Sequence, residues 1–389
     1  MKRTRLKRRG GLGRIAERLV WLANGLAESS SRIEDRHWEQ QLTRALDQHL
    51  TDADDEALNT ALDHLYSAEP LAYDELADFI ESRAECAAGA FAEHDVVLIA
   101  APILAWSRFR IPATLVPPAT LANLRVQLQA HVLAKGAHLA IADFLFSPDQ
   151  LPQGYCATAE LAKVLGTTAM DNHDLHVDTA GMPETSQFLS DTRYLLAAVS
   201  VPRGNPIFRW QEEDGSRTTA HEQWRVQGGA CLTPLLPGCT VELVLPESYF
   251  AASRAADKDG RPYSIRASVA YLGTALETPP ANLRAIIAPF WDQELEEYRV
   301  GFTTRDSDQI VHGLVWPLLG AEDDSADCAA QIEAVLRESG ITDVVHLDHP
   351  FPLEYCDDCG APMYPSPEGE VVHAEMPEEH MEQMPRHLH

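Results

Sequence analysis

The chain lacks the features that assign many proteins to a class at sight. No stretch of its 389 residues is long and apolar enough to span a bilayer, since the most apolar run, 96–105, is too short. It has seven cysteines, of which only Cys356 and Cys359 are close together, unlike a secreted disulfide scaffold. It also lacks a phosphate-binding loop, a dinucleotide-binding glycine motif after a strand, and a nucleophile elbow. These absences predict a cytoplasmic protein outside the common motif-bearing enzyme families.

Basic residues are scarce beyond the extreme N-terminus. The formal net charge is -28, and six of the 31 basic residues are Lys2, Arg3, Arg5, Lys7, Arg8 and Arg9. The other 25 stand against 59 acidic residues, which leaves -34 for the rest of the chain. Such a body repels nucleic acid and anionic membranes, because affinity for both depends on Lys and Arg. We therefore expect residues 1–11 to be a disordered basic tail, and the only segment able to contact nucleic acid.

The same tail does not resemble a signal peptide. Gly10, Gly11 and Gly13 stand where a signal peptide would need its apolar core. Export is therefore not expected.

Residues 12–90 have a helical pattern. Ser31 and Glu34 form a capping box, and Asp54 precedes an apolar stripe at helical spacing. Pro70 stands where the first turn of a helix tolerates proline. The pattern predicts three or four short helices in a bundle or a helical arm.

The next segment, 91–250, combines apolar runs with amphipathic stretches. Strands are predicted at 96–104, 138–146, 194–201 and 241–245, and a helix at 120–134. Residues 147–190 form an insertion with no assigned structure. The order of elements favours a ferredoxin-like α+β domain with an insertion.

The segment 260–350 is interpreted in the same way. Strands are predicted at 263–272, 297–304, 309–318 and 342–347, with helices at 281–290 and 326–339. This βαββαβ order predicts a second ferredoxin-like domain. Pro-Pro-Ala occurs at 117–119 and again at 279–281, ahead of a predicted helix each time, which favours a duplication. The predicted fold class is α+β, with a helical region, two tandem ferredoxin-like domains and a C-terminal zinc-knuckle segment, 351–389.

The strongest chemical signal is Cys356-Asp-Asp-Cys359-Gly360. Two thiolates at this spacing can face one tetrahedral ion, and glycine lets the backbone turn around it. His373 and His380 are the predicted remaining ligands, with His346 or His349 as alternatives for the fourth position. Four protein ligands describe a structural zinc site, and a redox dithiol or unpaired thiols are the alternatives.

Two further groups contain residue types that occur in catalytic sites, but their sequence context does not match a known catalytic motif. His173, Asp174, His176 and Asp178 are the side chains of a metal-dependent hydrolase, yet they lie in a polar segment without a helical motif. A solvated loop is the favoured interpretation there. Cys231, with His221 upstream, suggests a nucleophile and a base, but lone cysteines are mostly small core residues.

The whole chain resembles an uncharacterised bacterial family, domain of unknown function 2863. The residues that carry the resemblance are 31–39, 55–66, 355–365 and 370–376. The family supplies no activity that can be carried to any residue, and it makes an ordinary enzyme family less expected.

These observations favour a cytoplasmic binding or regulatory module that is not an enzyme and recognises a protein partner or a small ligand. One alternative is a nucleic-acid- or ribosome-associated factor acting through its basic tail. The other is a metal-dependent hydrolase that uses the residues around His176.

Overall fold

The fold is described from a computed structural model that covers residues 12–86, 91, 93–320, 322 and 327–377. It is a mixed α+β structure, as predicted, in which a helical bundle precedes two larger β-sheets and a two-stranded hairpin. The basic tail and His380 lie outside the described residues. Within those residues, no helix combines the length and the apolar character needed to cross a membrane.

The segment predicted to be helical contains helices in the described structure. Its four helices are α1 (Arg14–Ala27), α2 (Arg32–Thr51), α3 (Asp55–Ala68) and α4 (Pro70–Glu85). Ser31 caps α2 by accepting a hydrogen bond from the backbone N–H of Glu34, whose carboxylate accepts in return from the N–H of Ser30. Leucines from all four helices, including Leu19, Leu42, Leu62 and Leu76, are fully buried and form the core of the bundle.

The first sheet contains the predicted strands of segment 91–250. The strands are β1 (His94–Trp106), β2 (Thr114–Leu115), β3 (His138–Phe146), β4 (Ser190–Pro202), β5 (Thr240–Leu243) and β6 (Glu247–Ser248). Their order is β2-β3-β4-β1-β5, every neighbouring pair is antiparallel, and β6 pairs with β1.

Helices cover both faces of this sheet. They are α5 (Pro118–His131), α6 (Tyr155–Met170), α7 (Arg217–Gln223) and α8 (Gly229–Leu232). Residues of β1 alternate between two buried clusters: Ile99 faces α5, and Leu98 faces α6. Burial on both sides explains why β1 is an almost continuous apolar run. The insertion 147–190, unassigned from the sequence, supplies α6.

A 27-residue helix, α9 (Tyr249–Ala275), connects the two sheets. Its first half buries Ala252 and Ala256 against the first sheet, and its second half buries Ile265 and Val269 against the second. The second sheet contains β7 (Leu283–Asp292), β8 (Glu294–Thr304), β9 (His312–Pro317), β10 (Asp343–His346) and β11 (Phe351–Pro352), and α10 (Cys328–Glu338) packs on the same face as α9.

The order of the second sheet is β10-β7-β8-β9, with β10 and β11 both parallel to β7. The opposite face of this sheet is covered by the Cys/His segment, which we define as residues 351–377. This segment contains the short hairpin β12 (Tyr364–Pro365) and β13 (Val371–Val372).

Two predictions in segment 260–350 are wrong. The predicted strand 263–272 is the second half of α9, and the predicted helix 281–290 is β7. Tyr263, Ile265 and Val269 suggested a strand, but α9 continues through Pro262 because both sheets bury its apolar residues. β7 was predicted as a helix because a strand that is buried on both faces shows no alternation between apolar and polar residues.

The second sheet therefore follows the order αβββαβ instead of βαββαβ. The repeated Pro-Pro-Ala signature opens α5 at its first occurrence but only a short 3-10 turn, Pro280–Asn282, at its second. The signature thus gives no support to the expected duplication.

Candidate metal centre

The Cys/His segment begins with a tight loop that holds both cysteines. Tyr355 and Pro362 form an isolated antiparallel bridge at its base. Above the bridge, the N–H of Cys356 donates to the carbonyl of Ala361, and the N–H of Gly360 donates to the carbonyl of Cys356, each at 2.8 Å. Gly360 has φ +71°, a left-handed conformation that a residue with a Cβ adopts at a cost. The predicted turn around a CxxC pair is therefore present.

The β12–β13 hairpin returns the chain to this loop. The N–H of Ser366 donates to the carbonyl of Glu370 at 2.8 Å and closes the hairpin. His373 follows β13 directly, and its Nε2 lies 3.3 Å from Sγ of Cys359. One ligand atom each of Cys356, Cys359 and His373 lies within 4.8 Å of the other two.

The donor set could hold a metal ion, and its spacing can be compared with that of a tetrahedral zinc site. With Zn–S near 2.3 Å and Zn–N near 2.0–2.1 Å, a tetrahedral angle places sulphur and nitrogen about 3.6 Å apart. The separation of 3.3 Å between Cys359 and His373 is close to that value. The backbone N–H groups of Cys359 and Asp358 lower the pKa of the Cys356 thiol. They thus favour the thiolate, which is the form that binds metal.

The predicted fourth ligand is not among the described residues. Nε2 of His346 lies 2.8 Å from a carboxylate oxygen of Glu333, and the His349 ring packs 4.2 Å from the ring of Phe351. Neither histidine belongs to the cluster of ligand atoms, whose described members are Cys356, Cys359 and His373. His380 follows the last described residue by three positions.

The site rests on the second sheet through an aromatic contact that the sequence analysis missed. Tyr364 is 1% exposed, and its ring lies over Gly313 of β9, where an added Cβ would come within 2.3 Å of the ring. Gly301, the partner of Gly313 on β8, leaves similar room for the backbone carbonyl of Pro365. Paired glycines across two strands were the available signal, because they mark a close approach to the sheet.

A second contact sequence reasoning missed is Arg299 of β8, which is fully buried. Its Nη1 donates to the carbonyls of Glu354 and Met363, each at 2.7 Å, and its Nε donates to Glu297. The position of Arg299 directly before the buried stretch Val300–Phe302 was the signal, since buried charges are paired and hydrogen-bonded.

The hydrolase candidates of segment 171–178 are not assembled into a metal centre in the described structure. Asp174 accepts from Arg125 and from the backbone N–H of Ile141 on β3. Nδ1 of His176 lies 2.7 Å from a carboxylate oxygen of Asp143, which also accepts from the N–H of Val177. The segment runs along the edge of β3, and these carboxylates satisfy backbone groups there.

The remaining residues proposed for catalysis are also engaged elsewhere. Nε2 of His221 lies 3.1 Å from the carbonyl of Leu243. Burial raises the pKa of the Cys231 thiol, which disfavours the nucleophilic thiolate. Cys231 packs against the core of the first sheet, as the simpler interpretation expected.

Comparison with known families agrees with the resemblance seen in the sequence. A family model described as a protein of unknown function (DUF2863) matches residues 4–387. Comparison with curated proteins gives no match, and comparison with solved structures gives none either.

Proposed function

Because the chain belongs to the DUF2863 family, whose description assigns no activity, we propose a function from the site alone. The protein is a non-enzymatic binding or regulatory module of the cytoplasm with a structural zinc ion at Cys356, Cys359 and His373. The observation that carries this proposal is the mutual approach of these three ligand atoms within 4.8 Å. His380 supplies the fourth ligand, and the ion adds a cross-link at the tip of the Cys/His segment.

The donor chemistry supports a structural role. Two thiolates and imidazole nitrogen are the ligands of closed zinc sites, whose binding free energy stabilises the fold. Cys356, Cys359 and His373 would hold the ion, which would cross-link the loop 356–359 to the residue that follows β13. When His380 closes the site, no coordination position is left for substrate.

The metal content of purified protein tests this proposal. Protein purified without chelator is expected to hold about one zinc per chain. Cys356→Ser and His373→Ala should lose most of it, while Cys239→Ser, a half-buried cysteine near the first sheet, should retain it. Zinc well below one equivalent in the wild type, or a Cys356–Cys359 disulfide in its place, would overturn the proposal.

The fourth ligand has its own test. His380→Ala should weaken zinc binding in competition with a chromophoric chelator, and His349→Ala should leave it unchanged. Weaker zinc binding in His349→Ala alone would identify His349, and not His380, as the fourth ligand.

We also propose that the first sheet is a ferredoxin-like platform for a ligand or partner. Its strands β3, β4, β1 and β5 lie side by side in that order, with antiparallel neighbours, and this is the order of the split βαβ arrangement. Such sheets hold ligands at junctions with other elements, but fold alone does not specify which ligand.

Affinity purification from the native cell separates the alternatives. The binding-module proposal expects one protein partner or small ligand with both the full chain and a chain lacking residues 2–9. RNA that salt releases, and that requires residues 2–9, would favour the nucleic-acid alternative. Metal-dependent phosphoesterase activity abolished by His176→Ala would favour the hydrolase and contradict the non-enzymatic proposal.

A further inference from the structure

The loop that holds the cysteines is tied at two places. Its tip carries Cys356 and Cys359, and its base is the bridge between Tyr355 and Pro362. Arg299 binds this base from below, because its Nη1 donates to the carbonyl of the residue before Tyr355 and to that of the residue after Pro362. One guanidinium nitrogen therefore joins the two strands that lead into and out of the metal loop.

The surroundings of Arg299 make this link specific for arginine. The guanidinium carbon lies 4.2 Å from the centre of the Phe290 ring and 5.0 Å from that of Tyr355. Glu297 accepts from Nε at 2.7 Å and balances the buried charge. A planar cation that stacks between rings while donating in its plane is a geometry that lysine does not reproduce.

The base of the loop also has a bond of its own. The N–H of Met363 donates to the carbonyl of Glu354 at 3.1 Å. This carbonyl therefore accepts two hydrogen bonds, one from Met363 and one from Arg299. None of these contacts uses a ligand atom of Cys356, Cys359 or His373. The base can therefore stay closed whether or not a metal occupies the tip.

We propose that Arg299 is a positioning residue for the metal site, holding the base of the loop on the second sheet independently of the metal and so preorganising the two thiolates. This inference rests on the proposed zinc site. Metal would then enter and leave at the tip of the loop, while the Cys/His segment remains docked on the second sheet.

The chain offers a matched control for this idea in Arg261 of α9. Arg261 is also buried, donates to the carbonyl of Pro317 and to Glu322, and lies over the Trp316 ring. It thus shares the carbonyl, carboxylate and aromatic contacts of Arg299, but none of these contacts is with the Cys/His segment. Loss of either arginine should destabilise the protein, and only the loss of Arg299 should affect metal.

The first arm of the experiment measures zinc affinity by competition with a chromophoric chelator. Arg299→Met should weaken zinc binding about 10- to 100-fold, the usual effect of removing a residue that orients metal ligands. Arg299→Lys keeps the charge and should also weaken binding, whereas Arg261→Met should leave the affinity unchanged. Wild-type affinity in Arg299→Met, or an equal loss in Arg261→Met, would overturn the proposal.

The second arm follows amide exchange at Met363 in protein stripped of metal. Metal-free wild type should keep this amide protected, and metal-free Arg299→Met should lose the protection while its far-UV circular dichroism stays native. Loss of protection in the metal-free wild type would show that the metal, and not Arg299, closes the base. This arm requires no bound zinc, so its result is distinguishable from a failure of the proposed zinc site.

Discussion

Glu85, at the end of α4, provides a pH-dependent test of how the helical bundle joins the rest of the chain. Its carboxylate accepts from the N–H of Phe250 at 3.1 Å and so caps the start of α9. Burial raises the pKa of Glu85 from 4.5 to about 7, partly opposed by hydrogen bonds from Phe250 and Ser248. Glu81 and Arg254 form an ion pair one turn away and are the other charged groups facing it.

The magnitude follows from the change in pKa. A change of one unit in pKa corresponds to about 1.4 kcal/mol. Ionised Glu85 therefore destabilises the folded state by about 3 kcal/mol relative to its protonated form. Because the folded pKa is raised, the favourable protonated state is fully present below about pH 4.5 and is lost as the pH rises through about 7. Glu85→Gln keeps an accepting oxygen for Phe250 and removes the charge.

The assay is urea unfolding of wild type and Glu85→Gln at about pH 5.5 and about pH 8.5. We expect the variant to gain about 2 kcal/mol in unfolding free energy relative to wild type between these two pH values. The gain is smaller than 3 kcal/mol because Glu85 of the unfolded wild type, with its ordinary pKa of 4.5, is already largely ionised at about pH 5.5. Glu81→Gln, which removes the half-buried partner of Arg254, should not reproduce this gain. An equal difference between Glu85→Gln and wild type at both pH values would refute the burial argument.

Two further predictions concern single contacts. Gly313→Ala should destabilise the docked Cys/His segment by about 1 to 3 kcal/mol in amide exchange, because its Cβ would overlap Tyr364. Gly229→Ala, whose Cβ meets only a side-chain atom at 3.9 Å, is the control, and equal effects would contradict the argument. Asp55→Ala should cost about 0.5 to 2 kcal/mol in urea unfolding, since the Asp55 carboxylate caps α6 through the N–H of Tyr155 at 3.0 Å. An unchanged midpoint would show that this link between bundle and α6 contributes nothing.

Elements with local signals were predictable from the sequence. Helices α2 and α3 begin at side-chain caps and α4 begins at Pro70, and these signals depend on neighbouring residues only. Strand β3 was predicted at the residues where it is found, because a mostly apolar run follows Gly136 there.

Elements set by tertiary contacts were not predictable in this way. Residues 263–272 are helical because α9 packs against two sheets at once, and this contact has no signature in the local sequence. The apolar residues of β7 are buried on both faces, by α9 and α10 on one side and by the Cys/His segment on the other. The spacing of apolar residues fails to predict either element, because each is packed against other parts of the protein on more than one side.

The candidate site divides along the same line. The CxxC spacing and His373 were identified from the sequence because the ligands lie within a short stretch of chain. Arg299 and Gly313 were missed because they reach the site from strands more than forty residues earlier. The assignment of His380 stays a prediction.

X-ray absorption at the zinc edge tests the central claim most directly, because it reports the atoms around the metal in the purified protein. The account predicts two sulphur ligands at about 2.3 Å and nitrogen ligands at about 2.0 to 2.1 Å. Cys359→Ser should remove one sulphur from that shell. A first shell of oxygen and nitrogen alone, unchanged in Cys359→Ser, would contradict a zinc site built on Cys356, Cys359 and His373.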